Sequence, residues 1–269
     1  MQIHNITSQK DYLKSEHQKK MRIHFYQLIL FLSLLSFWEI TASLNFINPF
    51  IFSSPSRIIT CFFEMLCDKS LFLHLGVTLS ETLISFFLVN VISLLFAILL
   101  WYNDTISKVL EPYFVVLNSL PKSALAPLLI VWLGNNMKTI IIAAISVAVF
   151  GSILNLYTGF CSVDPDKLKL IQTLKGNRFD CLRLVVLPSS IPLFISIMKV
   201  NIGLSLVGVI IGEFLAARSG LGYLILYGSQ VFKLDWVLMS IVLLCIMAMF
   251  LYSIINIIEK RVLLNFSQL

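Results

Sequence analysis

Three long stretches without charged side chains constrain the fold of this chain more than any other feature. They cover residues 82–103, 139–163 and 236–258, and each has at least the roughly 20 residues that a helix needs to cross a bilayer. Hydrophobic residues make up 58% of the chain and charged residues 13%, against roughly 45–50% and 25% in soluble domains. The sequence therefore excludes a soluble globular protein and predicts an integral membrane protein.

Three further apolar stretches, each interrupted by one or two charges, raise the predicted number of membrane spans to six. The predicted spans are residues 25–44, 80–101, 112–133, 139–160, 190–216 and 236–258. These spans and their connections use most of the length, so a separate soluble catalytic domain is not expected. We predict an all-α polytopic membrane protein with a polar tail (1–22), a single transmembrane domain (23–263) and a short C-terminal segment (264–269).

The distribution of Lys and Arg predicts how the spans are oriented. These residues gather in the N-terminal tail, near Lys108, in the connection 161–189 and near Lys260, whereas the other side of the predicted bundle carries few. Short cytoplasmic loops carry the excess of positive charge in membrane proteins. Both termini are therefore predicted to be cytoplasmic. The net charge of +6 follows from this topology, so it does not indicate a nucleic-acid partner.

Motifs for catalysis and nucleotide binding are missing from the sequence. There is no G-x-x-x-x-G-K-[ST], G-x-S-x-G or H-E-x-x-H pattern, which are the signatures of P-loop proteins and of common hydrolases. The five Cys residues include no C-x-x-C pair, and the four His residues are far apart. No catalytic residue, metal site or cofactor of its own is predicted, so the energy for any active process would come from another subunit.

The connection 161–189 is the most informative segment. Asp164 is expected to cap a short helix that has Pro165 at its first position. The predicted apolar face of that helix is formed by Leu168, Ile171 and Leu174. Gly176 then breaks the helix, and a second short helical stretch ends before Pro188. From the residues alone, this connection is either an amphipathic segment on the lipid headgroups or a docking surface for a partner.

This connection resembles the cytoplasmic coupling loop of permease subunits in binding-protein-dependent ABC importers, especially the nitrate, sulfonate and taurine branch. The resemblance rests on Asp164 and Pro165 at the start of the loop and on Val185, Leu187 and Pro188 at its end. It continues along the chain through residues 54–56, 121–128, Glu213 and 219–223. The chain departs from the family pattern at Lys169 and Lys175, where Glu and Gly are usual, and at Glu81, where Arg is common.

The resemblance implies the type I ABC importer (MetI-like) permease fold in a bacterial inner membrane. Two permease copies would form the path for a small polar solute such as nitrate, a sulfonate, taurine or a thiamine-precursor-like molecule. An extracytoplasmic solute-binding protein would deliver the solute, and separate ATPase subunits would use ATP. The residues implied in coupling to the ATPase are Asp164, Pro165, Leu168, Ile171, Leu174, Gly176, Val185, Leu187 and Pro188. A polytopic enzyme acting on lipid and a secondary carrier are the alternatives, but neither a polar catalytic cluster nor internal repeats are evident.

Among the charged residues inside predicted spans, Lys122, Lys199 and Glu213 are expected to need protein or water around them. An ionisable group at the centre of a membrane helix costs roughly 2.5–3.5 kcal/mol and seldom faces lipid. One interpretation is that these side chains line the translocation path or its gate. The other interpretation is that they form ion pairs that hold the helices together.

Overall fold

The structure is a computed structural model that describes residues 9–266, and the described chain is built from α-helices. The helices are α1 (Gln9–Ser43), α2 (Pro49–Phe52), α3 (Pro55–Cys67), α4 (Ser70–Tyr102), α5 (Asp104–Ser119), α6 (Lys122–Leu133), α7 (Met137–Cys161), α8 (Pro165–Thr173), α9 (Arg178–Cys181), α10 (Leu187–Ala216), α11 (Leu221–Gln230) and α12 (Leu234–Phe266). A π-helical stretch, Leu182–Val186, joins α9 to α10. The predicted all-α class is confirmed.

Within residues 9–266, five helical segments are long and apolar enough to cross a membrane. They are Met21–Ser43, Ser70–Tyr102, Met137–Cys161, Arg178–Ala216 and Leu234–Val262, and five of the six predicted spans fall on them. Helix α1 begins at Gln9, so it extends through much of the predicted polar tail. Residues 1–8 and 267–269, which belong to the predicted terminal segments, lie outside the described residues.

The predicted third span, 112–133, is not a single helix. Helix α5 ends at Ser119 and α6 begins at Lys122, with extended backbone at Leu120 (φ −64°, ψ 140°) and Pro121 (φ −68°, ψ 100°). Proline lacks an N–H donor and disfavours helical backbone at the residue before it, so Pro121 accounts for the break. The prediction of one unbroken helix over this stretch was wrong because it took average hydropathy into account but not the effect of Pro121. The exact count of six spans stays a prediction.

Helices α4, α7 and α10 form the centre of the bundle and approach one another closely. A Cβ atom at Gly208 of α10 would lie 2.6 Å from Cα of Ala144 on α7, and small residues at such contacts let helix backbones pack directly in membrane proteins. A buried polar network joins the three helices. Asn201 donates to Asn90 Oδ1 at 2.9 Å, and Ser152 donates to Asn201. Packing and hydrogen bonding together fix the relative positions of these helices.

Gly208→Ala is expected to destabilise the protein by about 1–3 kcal/mol, because the added methyl group would press on the α7 backbone. The matched control is Gly203→Ala on the same helix, where, apart from the neighbouring backbone of α10 itself, a Cβ would have no atom of the described residues within 4 Å. The midpoint of thermal unfolding in detergent should fall for Gly208→Ala and stay level or rise for Gly203→Ala. Equal midpoints would contradict the close approach of α7 and α10.

The short helices α2 and α3 are attached to the start of α12 by polar contacts. Ser53 donates to Asp235 Oδ1 at 2.5 Å, and Arg57 donates to Asp235 Oδ2 at 3.0 Å. Ser54 caps α3, which has Pro55 at its first position. The 54–56 motif noted in the sequence therefore starts a helix that packs on the end of the bundle.

Candidate functional sites

The loop between α7 and α10 contains the short helix predicted from the sequence. Asp164 Oδ1 accepts a hydrogen bond from Asp166 N at 2.9 Å, with Pro165 at the first helical position. At the other end, Gly176 N donates to Ile171 O at 2.9 Å, and Lys175 has a positive φ of 62°. Both ends of α8 are thus capped by local hydrogen bonds. These bonds fix the conformation of this short helix within the loop.

The apolar side chains of α8 divide into two groups. Leu168 is half-buried and packs against a cluster that includes Phe160 and Leu182, and Ile171 is also half-buried. Leu170 and Leu174 are exposed, at 61% and 72%. The resemblance implies Leu168, Ile171 and Leu174 in coupling to the ATPase, but Leu168 packs on this chain's own helices. The exposed apolar pair of the α8 segment consists of Leu170, which the sequence analysis missed, and Leu174, which directly follows the last residue of α8.

The end of the loop is tied to the bundle at two places. Arg178 Nη2 donates to Asp104 Oδ1 at 2.6 Å and to the Trp101 carbonyl at 2.8 Å, and its guanidinium lies 5.5 Å from the centre of the Trp101 ring. The hydrogen bond and the charge of Arg178 lower the pKa of Asp104. Arg178 therefore links the start of α9 to the junction of α4 and α5.

The second attachment is the helical return into the bundle. Asn177 and Asp180 form a reciprocal capping box at the start of α9, a pairing that satisfies otherwise free backbone donors. Val185 is buried, while Leu187 and Pro188 are half-buried. Because helical backbone runs from Arg178 to Ala216, the loop is continuous with the longest helix of the central group.

Lys199 and Lys122, two of the charged residues predicted in spans, have different surroundings. Lys199 on α10 forms an ion pair with Glu259 on α12, donates to Asn256 Oδ1 at 3.1 Å, and lies over the Tyr252 ring. This arrangement matches the interpretation of Lys199 as a residue that holds helices together. Lys122 begins α6 and donates to the Asn118 carbonyl, so it lies at the break between two short helices.

Glu213 lies near the end of α10 and is 1% exposed. Its Oε1 accepts a hydrogen bond from the Thr78 hydroxyl at 2.6 Å, and its Oε2 accepts one from Gly222 N at 2.5 Å. A Cβ atom at Gly222 would lie only 2.8 Å from Glu213 Oε2, so the carboxylate occupies the space beside this glycine. Glu213 therefore connects α10, α4 and the 219–223 segment.

Two side chains of α4 complete this attachment, and the sequence analysis did not identify them. Thr78 Oγ1 accepts from Leu221 N at 2.8 Å, and His74 Nδ1 accepts from Gly220 N at 3.0 Å. His74, Thr78 and Glu81 are spaced by four and three residues, which places them on one face of a helix. That polar spacing within an apolar helix was the sequence signal for this site.

Glu81 is a second buried acid beside Glu213. It is 2% exposed, and its carboxyl group lies beside that of Glu213. Its Oε2 atom has no hydrogen-bond partner among the described residues. Glu81 also lines a recess of about 280 Å³ whose other walls include Val77, Asn135, Asn136, Ala217 and Arg218.

The fold and these sites define a multi-pass membrane protein in which a helical loop with an exposed apolar pair is joined directly to the central helices. The sequence profile of the binding-protein-dependent transport system inner membrane component family matches residues 89–264. The chain belongs to this family, whose members are permease subunits of ABC importers. A lipid-modifying enzyme and a secondary carrier, the alternatives from the sequence, are not favoured.

Several relatives support the branch suggested by the sequence. A probable ABC transporter permease of Haemophilus influenzae is 28% identical and aligns with 83% of this chain and 90% of that protein. The formylaminopyrimidine transport permease ThiX of Halalkalibacterium halodurans is 27% identical, over 72% of this chain and 77% of that protein. The putative aliphatic sulfonates permease SsuC of Bacillus subtilis is 23% identical, over 88% and 86%. The predicted resemblance to this branch is confirmed.

Solved structures support the predicted fold. A chain of the MetNI methionine ABC transporter, in an inward-facing conformation, superposes with a TM-score of 0.60 at 19% identity. The match covers 70% of this chain and 91% of that chain. The MetI-like permease fold is therefore confirmed for most of the chain.

Proposed function

We propose that this chain forms, with a second permease copy, the path of a small polar solute across a bacterial inner membrane, and that α8 docks on a separate ATPase. The observation that carries the coupling proposal is the exposed pair Leu170 and Leu174 on a short helix that is fixed at both ends. Exposed apolar side chains on an otherwise polar helix are typical of a surface that seats in a partner's groove. The ATPase subunits would hydrolyse the ATP.

The contacts of the loop supply a route by which its movement would reach the bundle. Leu168 packs against the cluster that contains Phe160 and Leu182. Arg178 is hydrogen-bonded to residues at the junction of α4 and α5. Helical backbone continues from Arg178 to Ala216, and Glu213 near its end holds the 219–223 segment. A displacement of α8 by closure of the ATPase subunits would therefore move both ends of the central helices and shift the path between inward-open and outward-open.

The remaining partners and the orientation follow from the family and from the charge distribution. Family membership supports an extracytoplasmic solute-binding protein that delivers the solute. The concentration of Lys and Arg around the loop and the chain ends supports cytoplasmic termini. In this orientation α8 faces the cytoplasm, and the turn between α6 and α7 and the end of α11 face outward.

Cysteine labelling in intact cells tests this orientation. Single cysteines at Asn135 and Ser229 on a cysteine-free background should react with an impermeant maleimide added outside. Cysteines at Lys108 and Asn177 should react only after the membrane is permeabilised. All four positions are exposed, so a difference in labelling reports sidedness rather than burial. Labelling of Asn177→Cys from outside would overturn the coupling proposal, because the loop could not meet a cytoplasmic ATPase.

A further inference from the structure

A recess with charged walls lies between α3 and the start of α12, and its volume is about 330 Å³. Helix α3 leads into the start of α4, whereas the loop between α7 and α10 is hydrogen-bonded to the end of α4 at Trp101. The recess and the loop therefore lie at opposite ends of the bundle. The side chains around the recess include Arg57, Thr60, Glu64, Lys233, Asp235 and Trp236.

Two of the four charged groups in this recess are already paired with each other. Arg57 forms an ion pair with Asp235 at 3.0 Å and also donates to the Pro49 carbonyl at 2.9 Å. Neither Lys233 nor Glu64 forms an ion pair with any residue that the structure describes. The recess therefore has one unpaired ammonium and one unpaired carboxylate in its walls and no net charge. This combination is complementary to a zwitterion rather than to an anion or a cation.

The buried thiol of Cys61 shows that these charges lie close together. Cys61 also lines the recess and is 5% exposed. Burial and the charges of Asp235 and Glu64 raise the pKa of this thiol to about 11, and the charge of Lys233 opposes the rise. Because neighbouring charges shift a pKa in this way at short range, Glu64 and Lys233 lie around the same buried floor.

The recess lies at the boundary of the membrane and continues into an apolar groove. The spanning segment of α12 begins at Leu234, so Lys233 and Trp236 lie at its edge, where Trp and basic residues are typical. The Lys233 ammonium lies 4.3 Å from the centre of the Trp236 ring. An open groove of about 630 Å³ extends the recess along α3 and exposes Ile59 and Phe63 by 56% and 57%. Charged and apolar walls thus adjoin at the level of lipid headgroups.

We propose that this recess binds the headgroup of phosphatidylethanolamine, with the lipid phosphate at Lys233, the ammonium at Glu64 and an acyl chain along Ile59 and Phe63. A water molecule takes roughly 30 Å³ of liquid volume, so the recess has room for an aminoalkyl phosphate. The primary ammonium can donate charge-assisted hydrogen bonds to a carboxylate, whereas the trimethylammonium of phosphatidylcholine has no N–H. The glycerol headgroup of phosphatidylglycerol offers no cation to Glu64. This lipid site goes beyond the proposed importer function.

Cysteine protection in bilayers of two compositions tests this site. The full-length chain carries Thr60→Cys on a cysteine-free background, because Thr60 is exposed and lines both the recess and the groove. The rate of reaction with uncharged N-ethylmaleimide is measured in nanodiscs and divided by the rate for Ser229→Cys, an exposed position in neither cavity. Replacing phosphatidylcholine by phosphatidylethanolamine, at a constant fraction of phosphatidylglycerol, should slow the relative rate at least fivefold.

Matched charge variants assign the protection to the unpaired pair. Lys233→Gln and Glu64→Gln should each bring the relative rate in phosphatidylethanolamine to within twofold of that in phosphatidylcholine. Lys138→Gln and Glu111→Gln remove exposed charges from other helices and should leave the protection intact. In detergent without phospholipid, Glu64→Gln should keep the unfolding midpoint of the parent protein, because Glu64 has no ion pair among the described residues.

Soluble phosphoethanolamine distinguishes a lipid headgroup from a free aminoalkyl phosphate. It should protect Thr60→Cys in detergent far more weakly than the lipid does in bilayers, because it has no acyl chain for the groove. Equal rates in the two bilayers, or protection that persists in both Lys233→Gln and Glu64→Gln, would overturn the site. Full protection by the soluble compound with equal rates in the two bilayers would overturn the lipid assignment. The labelling needs neither an ATPase nor ATP, so its result is independent of the coupling proposal.

Discussion

Glu213→Ala is expected to lower the free energy of unfolding by about 2–5 kcal/mol, one of the largest effects of any single substitution in this chain. The Thr78 hydroxyl and the Gly222 N–H would both lose their acceptor, and each donor left unpaired in a buried place costs about 1–3 kcal/mol. Glu213→Gln keeps the shape and one acceptor oxygen, but its amide N–H₂ group faces the remaining donor, so the loss of unfolding free energy should be smaller than in Glu213→Ala. Thermal unfolding of purified protein in detergent measures both.

Local hydrogen exchange distinguishes a structural role of Glu213 from a role in gating. If Glu213 holds the 219–223 segment, hydrogen exchange of the Gly222 amide should increase in Glu213→Ala while exchange in α8 stays the same. The control is Glu64→Ala, which removes an exposed carboxylate and should change neither stability nor exchange. A stable Glu213→Ala protein with unchanged exchange and lowered uptake would instead support the gating interpretation that the sequence left open.

The sequence predicted the spanning helices well because their signal is local. Uncharged apolar stretches longer than a bilayer crossing mark α4, α7 and α12 without any knowledge of tertiary structure. The same reasoning failed at 112–133, where average hydropathy could not show that Pro121 divides the stretch into two helices. Prolines in membrane segments allow several local outcomes, and packing decides among them.

The candidate sites were only partly visible in the sequence, for two physical reasons. Periodicity showed that α8 is amphipathic but not which edge faces the bundle, so Leu168 was assigned to a partner and Leu170 was missed. Partners distant in the chain were also hidden: Lys199 pairs with Glu259 on another helix, and Glu81 lies against Glu213. The cost of a charge in a membrane predicted that such partners exist, whereas only the fold identifies them.

Loss of the ATPase is the expected result when both exposed leucines of α8 are truncated. Leu170→Ala combined with Leu174→Ala should weaken docking by about 2–4 kcal/mol if both side chains are buried at the interface, which corresponds to roughly 30- to 1,000-fold in affinity. A tagged permease carrying both substitutions should no longer co-purify with its ATPase, although it inserts normally. Both side chains are exposed in the free chain, at 61% and 72%, so their removal should leave the unfolding midpoint unchanged.

The matched control for this docking test is Leu95→Ala with Leu99→Ala, a pair with the same four-residue spacing on α4 and exposures of 61% and 41%. It removes the same side-chain atoms from a membrane-spanning helix, so ATPase co-purification should persist. Leu168→Ala should differ from both pairs, because the Leu168 side chain packs against the Phe160 cluster. Its loss should lower the free energy of unfolding more than it weakens docking of the ATPase. If the Leu170 and Leu174 double variant still retains its ATPase and supports normal uptake, then the exposed pair contacts lipid headgroups, and α8 transmits no force from the ATPase to the helix that begins at Arg178.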